Sequence, residues 1–225
     1  MSVAENLARI QKQIVISALK AGRNPASVRL IAVTKNVSAA RAMESVAAGV
    51  ADLGENRVQE LCNKYPAVAG ARWHMIGHLQ SNKVKYIIGK VTLVHSLDRW
   101  SLALEINRRS QEAGLVTPVL VQVNVAGEST KFGLPVDEVT DFVTEAAGLP
   151  GVSIQGLMTI APLVENPEEV RPVFRRLKQM AEGLKEIPGV KMEQLSMGMT
   201  NDFQVAVEEG STMVRIGTAI FGSRH

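Results

Sequence analysis

Cysteine is almost absent. Cys62 stands alone among 225 residues, so no internal disulfide can form. It has no CxxC partner and reads as a buried structural thiol in the helical stretch NRVQELCNKY. Aromatic residues make up only 4%, without the Phe/Tyr cluster on which single-stranded nucleic acid stacks. Neither sign of charge is concentrated: 25 basic and 22 acidic residues are scattered to a net +3, which offers nucleic acid no basic tract. No apolar run approaches the roughly 20 residues that cross a bilayer. The opening MSVAENLARIQKQ carries acids inside a helical pattern in place of a basic-then-apolar leader. The expectation is a soluble, cytoplasmic, monomeric protein without membrane or nucleic-acid partners, able to take a small anion with a few local donors.

A hydrophobic content of 46% over this length suffices for one sizeable core, and no linker or composition shift marks a second domain, so residues 1–225 are expected to form one unit. Within it, short β-branched or apolar runs recur at Arg29–Thr34, Asp52–Gly54, Trp73–Gly77, Thr92–Ser96, Pro118–Val125, Val152–Thr159, Lys191–Ser196 and Thr212–Gly217. Helical spacing occupies Ser38–Ala48, Arg57–Val68, Ser81–Ile88, Arg99–Ala113, Val136–Ala147, Pro167–Glu186 and a stretch near Asn201–Glu209. Asp98 and Asn166 suit N-caps, Pro135 and Pro167 suit first turns, and Gly114 and Gly148 suit left-handed helix ends. Strand-helix alternation repeated eight times predicts an α/β fold, a single (β/α)₈ barrel, with the first 21 residues as an extra N-terminal helix. The short Asp52–Gly54 is its weakest strand. An open doubly wound sheet is the alternative, but the first βα turn, VTKNVS, lacks the G-x-G-x-x-G phosphate turn.

In such a barrel the site lies at the carboxyl ends of the strands. Lys35 shares the parity of Ile31 and Val33 and so points inward at the mouth, where desolvation favours a neutral, nucleophilic amine able to form an imine. A lysine snorkelling to solvent from a strand end is the other reading. After the seventh and eighth strands come LSMGMTND and RIGTAIFG, where barrels commonly bind phosphate. Gly198 and Gly217 permit close backbone approach, and Ser196, Thr200 and Thr218 offer hydroxyls, although turns and caps use the same residues. Taken with Lys35 they suggest a phosphorylated aldehyde. Arg215 has the parity of Met213 and Gly217. It either faces a pyridine nitrogen as a donor that keeps it unprotonated, or pairs with Glu193 or Asp202. Glu55 and Asn56 close the second strand, with ligand contact or capping of the next helix open to both, and capping favoured for Asn56. Met158 and Thr159 form a ring wall or ordinary core. His74 and His78, four apart across a glycine at a strand end, do not have the shared helix face of a zinc site.

Read in order, IAVTKNV, GENRVQE, WHMIGHLQSNK, NVAGESTKFG, GLMTIAP, SMGMTNDF and VRIGTAIFG closely resemble the YggS/PROSC family of pyridoxal phosphate homeostasis proteins, from about Leu30 to Gly222. The resemblance implies a fold-type III barrel like the N-terminal domain of alanine racemase, with pyridoxal 5′-phosphate held as an imine on Lys35. It further implies phosphate contacts from Ser196, Gly217 and Thr218, Arg215 facing the pyridine nitrogen, and Asn56 in a ligand-lining motif. Lys131 matches a lysine with a secondary part in cofactor handling. Thr200 stands where the family often has serine, which keeps the hydroxyl.

Three functions fit these residues. The first is a non-catalytic carrier that buffers the cofactor or delivers it to apo-enzymes dependent on it, and so affects amino-acid and keto-acid pools. The second is an amino-acid racemase, and the third a cofactor-free aldolase. The carrier is favoured because racemisation needs an acid/base group on each face. Alanine racemase takes its second base, a tyrosine, from a separate β-domain. Here Tyr65 and Tyr86 fall in outer helices and the sequence runs only a few residues past the eighth strand.

Overall fold

Strands rich in β-branched residues bury both faces only if helices cover the outside, and this makes successive strands parallel. The computed structural model describes residues 2–128 and 130–222. Its helix α1 (Val3–Lys20) precedes β1 (Arg29–Val33), α2 (Ala39–Ala47), β2 (Asp52–Glu55), α3 (Val58–Lys64), β3 (Arg72–Met75), β4 (Val91–Leu97) and α4 (Trp100–Glu112). Then follow β5 (Thr117–Gln122), α5 (Val139–Ala146), β6 (Val152–Met158), α6 (Arg171–Leu184), β7 (Gln194–Ser196), α7 (Phe203–Glu208), β8 (Met213–Ile216) and α8 (Thr218–Phe221). The strands are parallel, neighbour one another in sequence order, and close with β8 on β1. The expected (β/α)₈ barrel and its additional N-terminal helix are both present.

Helix α1 starts at a capping box, in which Ser2 and Glu5 satisfy each other's backbone N–H groups. Val3, Leu7, Ile10, Ile14 and Ala18 recur at helical spacing along its buried face, which packs on α7 and α8. The larger core lies between strands and helices and includes Leu53, Leu61, Trp73, Leu102 and Phe174. Each such side chain contributes about 1.5–3 kcal/mol on burial. A second, small cluster of Ile31, Leu93, Leu120, Met158 and Met213 plugs the inside of the cylinder.

Several local expectations are corrected. Asp98 does not cap α4: Arg99 occupies that position, and the Asp98 carboxylate is engaged by Arg99 and His78 instead. Asn166 does cap, but a 3₁₀ turn, Pro167–Val170, that leads into α6. Pro135 sits just before a 3₁₀ turn and not inside it. Gly114 takes the left-handed conformation (φ 65°), whereas Gly148 is not among the positive-φ glycines. Residues Ser81–Tyr86 wind as 3₁₀ and not α-helix. Strand β7 begins only at Gln194, where β6 approaches it closely. A Cβ on Gly156, whose φ is +153°, would lie 1.8 Å from the Gln194 carbonyl oxygen. Cys62 is half-buried, with Sγ 3.6 Å from the Tyr86 carbonyl oxygen, and so is more accessible than a core thiol.

Candidate functional site at the mouth of the barrel

The turn that carries Lys35 is clamped from below. After β1 the chain turns at Asn36, whose left-handed φ of 58° is unusual for a residue with a side chain but tolerated by asparagine. The Val37 N–H donates to the Thr34 carbonyl (2.9 Å) and the Asn36 N–H to Glu60 Oε2 (2.8 Å). Lys64, nearly buried on α3, donates to the Thr34 carbonyl and to Glu55 Oε1, each at 2.7 Å, and to Glu60 at 3.3 Å. Thr34 Oγ1 also donates to Glu55 Oε1. Glu55 therefore neither lines the mouth nor caps a helix. It is fully buried, and burial raises its pKa against the lowering effect of Lys64 and Thr34.

Lys35 itself is half-buried and lines a cavity of about 480 Å³. Val33, Asn56, Ile76, Thr200, Asp202, Arg215, Gly217 and Thr218 line the same cavity. A neighbouring hollow of about 350 Å³ shares Lys35, Gly217 and Thr218. Inward parity thus does bring Lys35 and Arg215 together. Asn56 faces the cavity and does not cap α3, whose N-cap position is Arg57, without a side-chain cap bond. Gly198 holds the loop after β7 in a left-handed turn (φ 95°), where a Cβ would meet that of Ala206 at 2.6 Å. In that loop the Met199 N–H donates to Asp202 Oδ1 at 2.6 Å. Burial raises the Asp202 pKa, with the Met199 N–H opposing.

Two residues expected at the cofactor lie deeper. Met158 belongs to the inner apolar plug and Ser196 is fully buried, and neither lines the cavity. The register explains this, because Met158 pairs with Ser196 and Ser196 with Met213, one layer below Arg215. Ser196 Oγ is spent on internal bonds: Arg215 Nη1 donates to it at 2.6 Å, and His95 Nδ1 lies at 2.8 Å. Arg215 Nη2 donates to the Thr159 carbonyl at 2.8 Å. Among the described residues no carboxylate pairs with Arg215, so the alternative of an ion pair with Glu193 or Asp202 is not what holds it. Burial pushes this guanidinium down to about 10, which leaves it charged at neutral pH.

Sequence reasoning missed the polar interior below Arg215. His95 continues through His74 Nδ1 (3.0 Å), and His74 Nε2 lies 3.0 Å from Asp52 Oδ1. Burial lowers both histidines, His95 well below its usual value. The parity of Leu93 with His95 was the available signal. His78 is separate, stacked on Phe132 with ring centroids 3.9 Å apart. Lys131 Nζ donates to Glu128 Oε1 (2.7 Å) and to the Ala161 carbonyl (3.2 Å) at the cavity edge.

The lining has one primary amine, one buried guanidinium, hydroxyl and amide donors, apolar flanks from Val33 and Ile76, and Asp202 as its carboxylate. That donor set fits an anionic carbonyl compound carrying a flat ring, with Gly217 and Thr218 on the wall of both hollows.

A family model described as alanine racemase, N-terminal domain, matches residues 6–225. The chain is 45% identical over 226 residues to the pyridoxal phosphate homeostasis protein of Aquifex aeolicus, covering 100% of this chain and 99% of that one. It superposes on PipY of Synechococcus elongatus with PLP bound at a TM-score of 0.87 and 35% identity, covering 98% of this chain and 100% of PipY. Alanine racemase of Clostridium difficile shares the fold at a TM-score of 0.77 with 17% identity, the match covering 98% of this chain and 57% of the racemase.

Proposed function

The chain belongs to the family of pyridoxal phosphate homeostasis proteins, and on that premise we propose that it binds pyridoxal 5′-phosphate covalently through Lys35. In this reading it carries the cofactor, in the cytoplasm, toward apo-enzymes that need it. The observation that bears the reading is the convergence of Lys35, Arg215, Gly217 and Thr218 on one cavity of about 480 Å³. Bound there, the cofactor supplies an aldehyde that condenses with primary amines and a ring that withdraws electrons through its nitrogen.

Each residue has a distinct part in this reading. Lys35 supplies the amine, and the clamped Thr34–Ser38 turn limits where that amine can reach. Gly217, Thr218 and Thr200 supply phosphate donors, each charge-assisted bond being worth about 1.5–3 kcal/mol. Asn56, Val33 and Ile76 flank the ring. Arg215 meets the ring nitrogen with an N–H. Because the guanidinium stays charged it can only donate, so the ring nitrogen would accept and stay unprotonated, and the ring would be a weaker electron sink as a result.

A racemase is the second reading, and the lining disfavours it. Racemisation needs a proton donor or acceptor on each face of the substrate. Tyr65 and Tyr86 are exposed and do not line this cavity. Asp202 is the remaining acid, and its Oδ1 already accepts the Met199 N–H. The deciding experiment assays one loaded preparation for activation of an apo-enzyme dependent on this cofactor and for loss of optical activity in a panel of amino acids. Transfer without racemisation is expected. Rapid racemisation that vanishes in Lys35→Ala, without transfer, would establish the enzyme instead.

A further inference from the structure

Arg215 is anchored by a hydrogen-bonded chain whose far end lies at the foot of the barrel. Asp52 opens β2, and the exposed Arg72 guanidinium donates to both of its oxygens. From Asp52 the chain runs through His74 and His95 to Ser196, with links of 3.0, 3.0 and 2.8 Å, and Arg215 then donates to Ser196 at 2.6 Å. His74, His95 and Ser196 are completely buried. None of the cofactor contacts assigned above uses Asp52 or either histidine.

The chemistry of these groups gives the chain a direction. A carboxylate only accepts, so His74 carries its proton on Nε2. A neutral imidazole has one donor and one acceptor. His74 Nδ1 must then accept from the His95 Nε2–H, and His95 Nδ1 from the Ser196 hydroxyl. The serine hydrogen is thereby committed, and what Ser196 turns toward Arg215 is a lone pair, as an N–H donor requires. Burial favours the neutral form of both rings. One imidazolium at His74 would reverse each later link and release the serine hydrogen.

Resting on the cofactor reading above, we infer that Asp52 is a positioning residue for Arg215. By fixing the direction of every link it holds the Ser196 lone pair on one guanidinium nitrogen while the Thr159 carbonyl holds the other. The remaining N–H groups are left for the ring nitrogen in a fixed orientation.

The first test needs no cofactor and no substitution. Two-bond proton–nitrogen correlation spectra of the ¹⁵N-labelled chain at neutral pH should show His74 and His95 as neutral Nε2–H tautomers. An Nδ1–H tautomer or an imidazolium at either ring overturns the inference. The second test uses Asp52→Leu, which removes the terminal acceptor at the end of the barrel away from the cavity. Pyridoxal phosphate should bind about three- to thirty-fold more weakly, with its visible absorbance maximum displaced and the His95 tautomer no longer unique. A folded Asp52→Leu chain that binds as tightly as the parent with an unshifted band overturns it as well. If that variant does not fold, the spectra of the unsubstituted chain still decide. Failure of the unsubstituted chain to bind the cofactor would defeat the reading under Proposed function, while the tautomers would still report the direction of the chain.

Discussion

The Lys64 ammonium lies 2.7 Å from the carbonyl oxygen of Thr34, the residue immediately before Lys35. It lies equally close to Glu55 Oε1, so a buried ion pair carries the turn from which Lys35 projects. Removing one partner of such a pair strands the other charge. Lys64→Met should cost about 3–5 kcal/mol in denaturant unfolding at neutral pH. Burial already raises the Glu55 pKa, and loss of Lys64 raises it further. The folded variant then holds a proton that the unfolded chain releases, so its deficit grows as pH rises through the folded pKa and shrinks in acid. A deficit independent of pH would mean that Glu55 is not the stranded group.

Lys35→Ala should abolish the visible band of the loaded protein and leave the unfolding midpoint nearly unchanged, because the side chain is only half-buried. Absorbance, borohydride reduction and peptide mapping check this together. A label on another lysine with the band retained would contradict the assignment.

Ser196 and Thr218 should separate by ligand. Two charge-assisted phosphate bonds of about 1.5–3 kcal/mol each predict that pyridoxal binds at least about a hundredfold more weakly than its phosphate. Thr218→Val should narrow that gap. Ser196→Ala should weaken both ligands by a similar factor, since its hydroxyl serves His95 and Arg215. Calorimetric titration measures both, and a gap that closes in Ser196→Ala would return Ser196 to the phosphate.

Asp52 predicts an acid limb of stability. Burial raises its pKa, but hydrogen bonds from His74 and Arg72 and the charge of Arg72 outweigh this and hold it well below the usual carboxylate range. A depressed carboxylate contributes stability that is present above its unfolded pKa of about 3.9 and is lost as pH falls toward the folded value. Stability should therefore drop below about pH 4. The drop should be shallower in Asp52→Asn, as unfolding free energies at several acid pH values would show.

The barrel was legible because strand-helix alternation repeats, and Lys35 and Arg215 because inward and outward positions alternate along a strand. Parity does not give height along the barrel axis, however. Met158 and Ser196 obey it but lie in the layer of Met213, a fact contained in the register between strands and not in any one of them. The path from Asp52 to His95 was illegible for the same reason, since it needs three strands aligned at once. Asp98 looked like a cap because caps are local, and the competition from Arg99 and His78 is not visible in helical spacing.

The barrel's inner apolar plug is five residues, whereas the layer between strands and helices holds most of the buried hydrophobic side chains. The cylinder is thus kept closed from outside, in the way hoops hold a cask, and its lumen is free of most of that duty. Replacements at Val33 or Ile76 can alter which ring the mouth accepts without disturbing the hoops. Selection, or a protein engineer, can therefore change the ligand and keep the vessel.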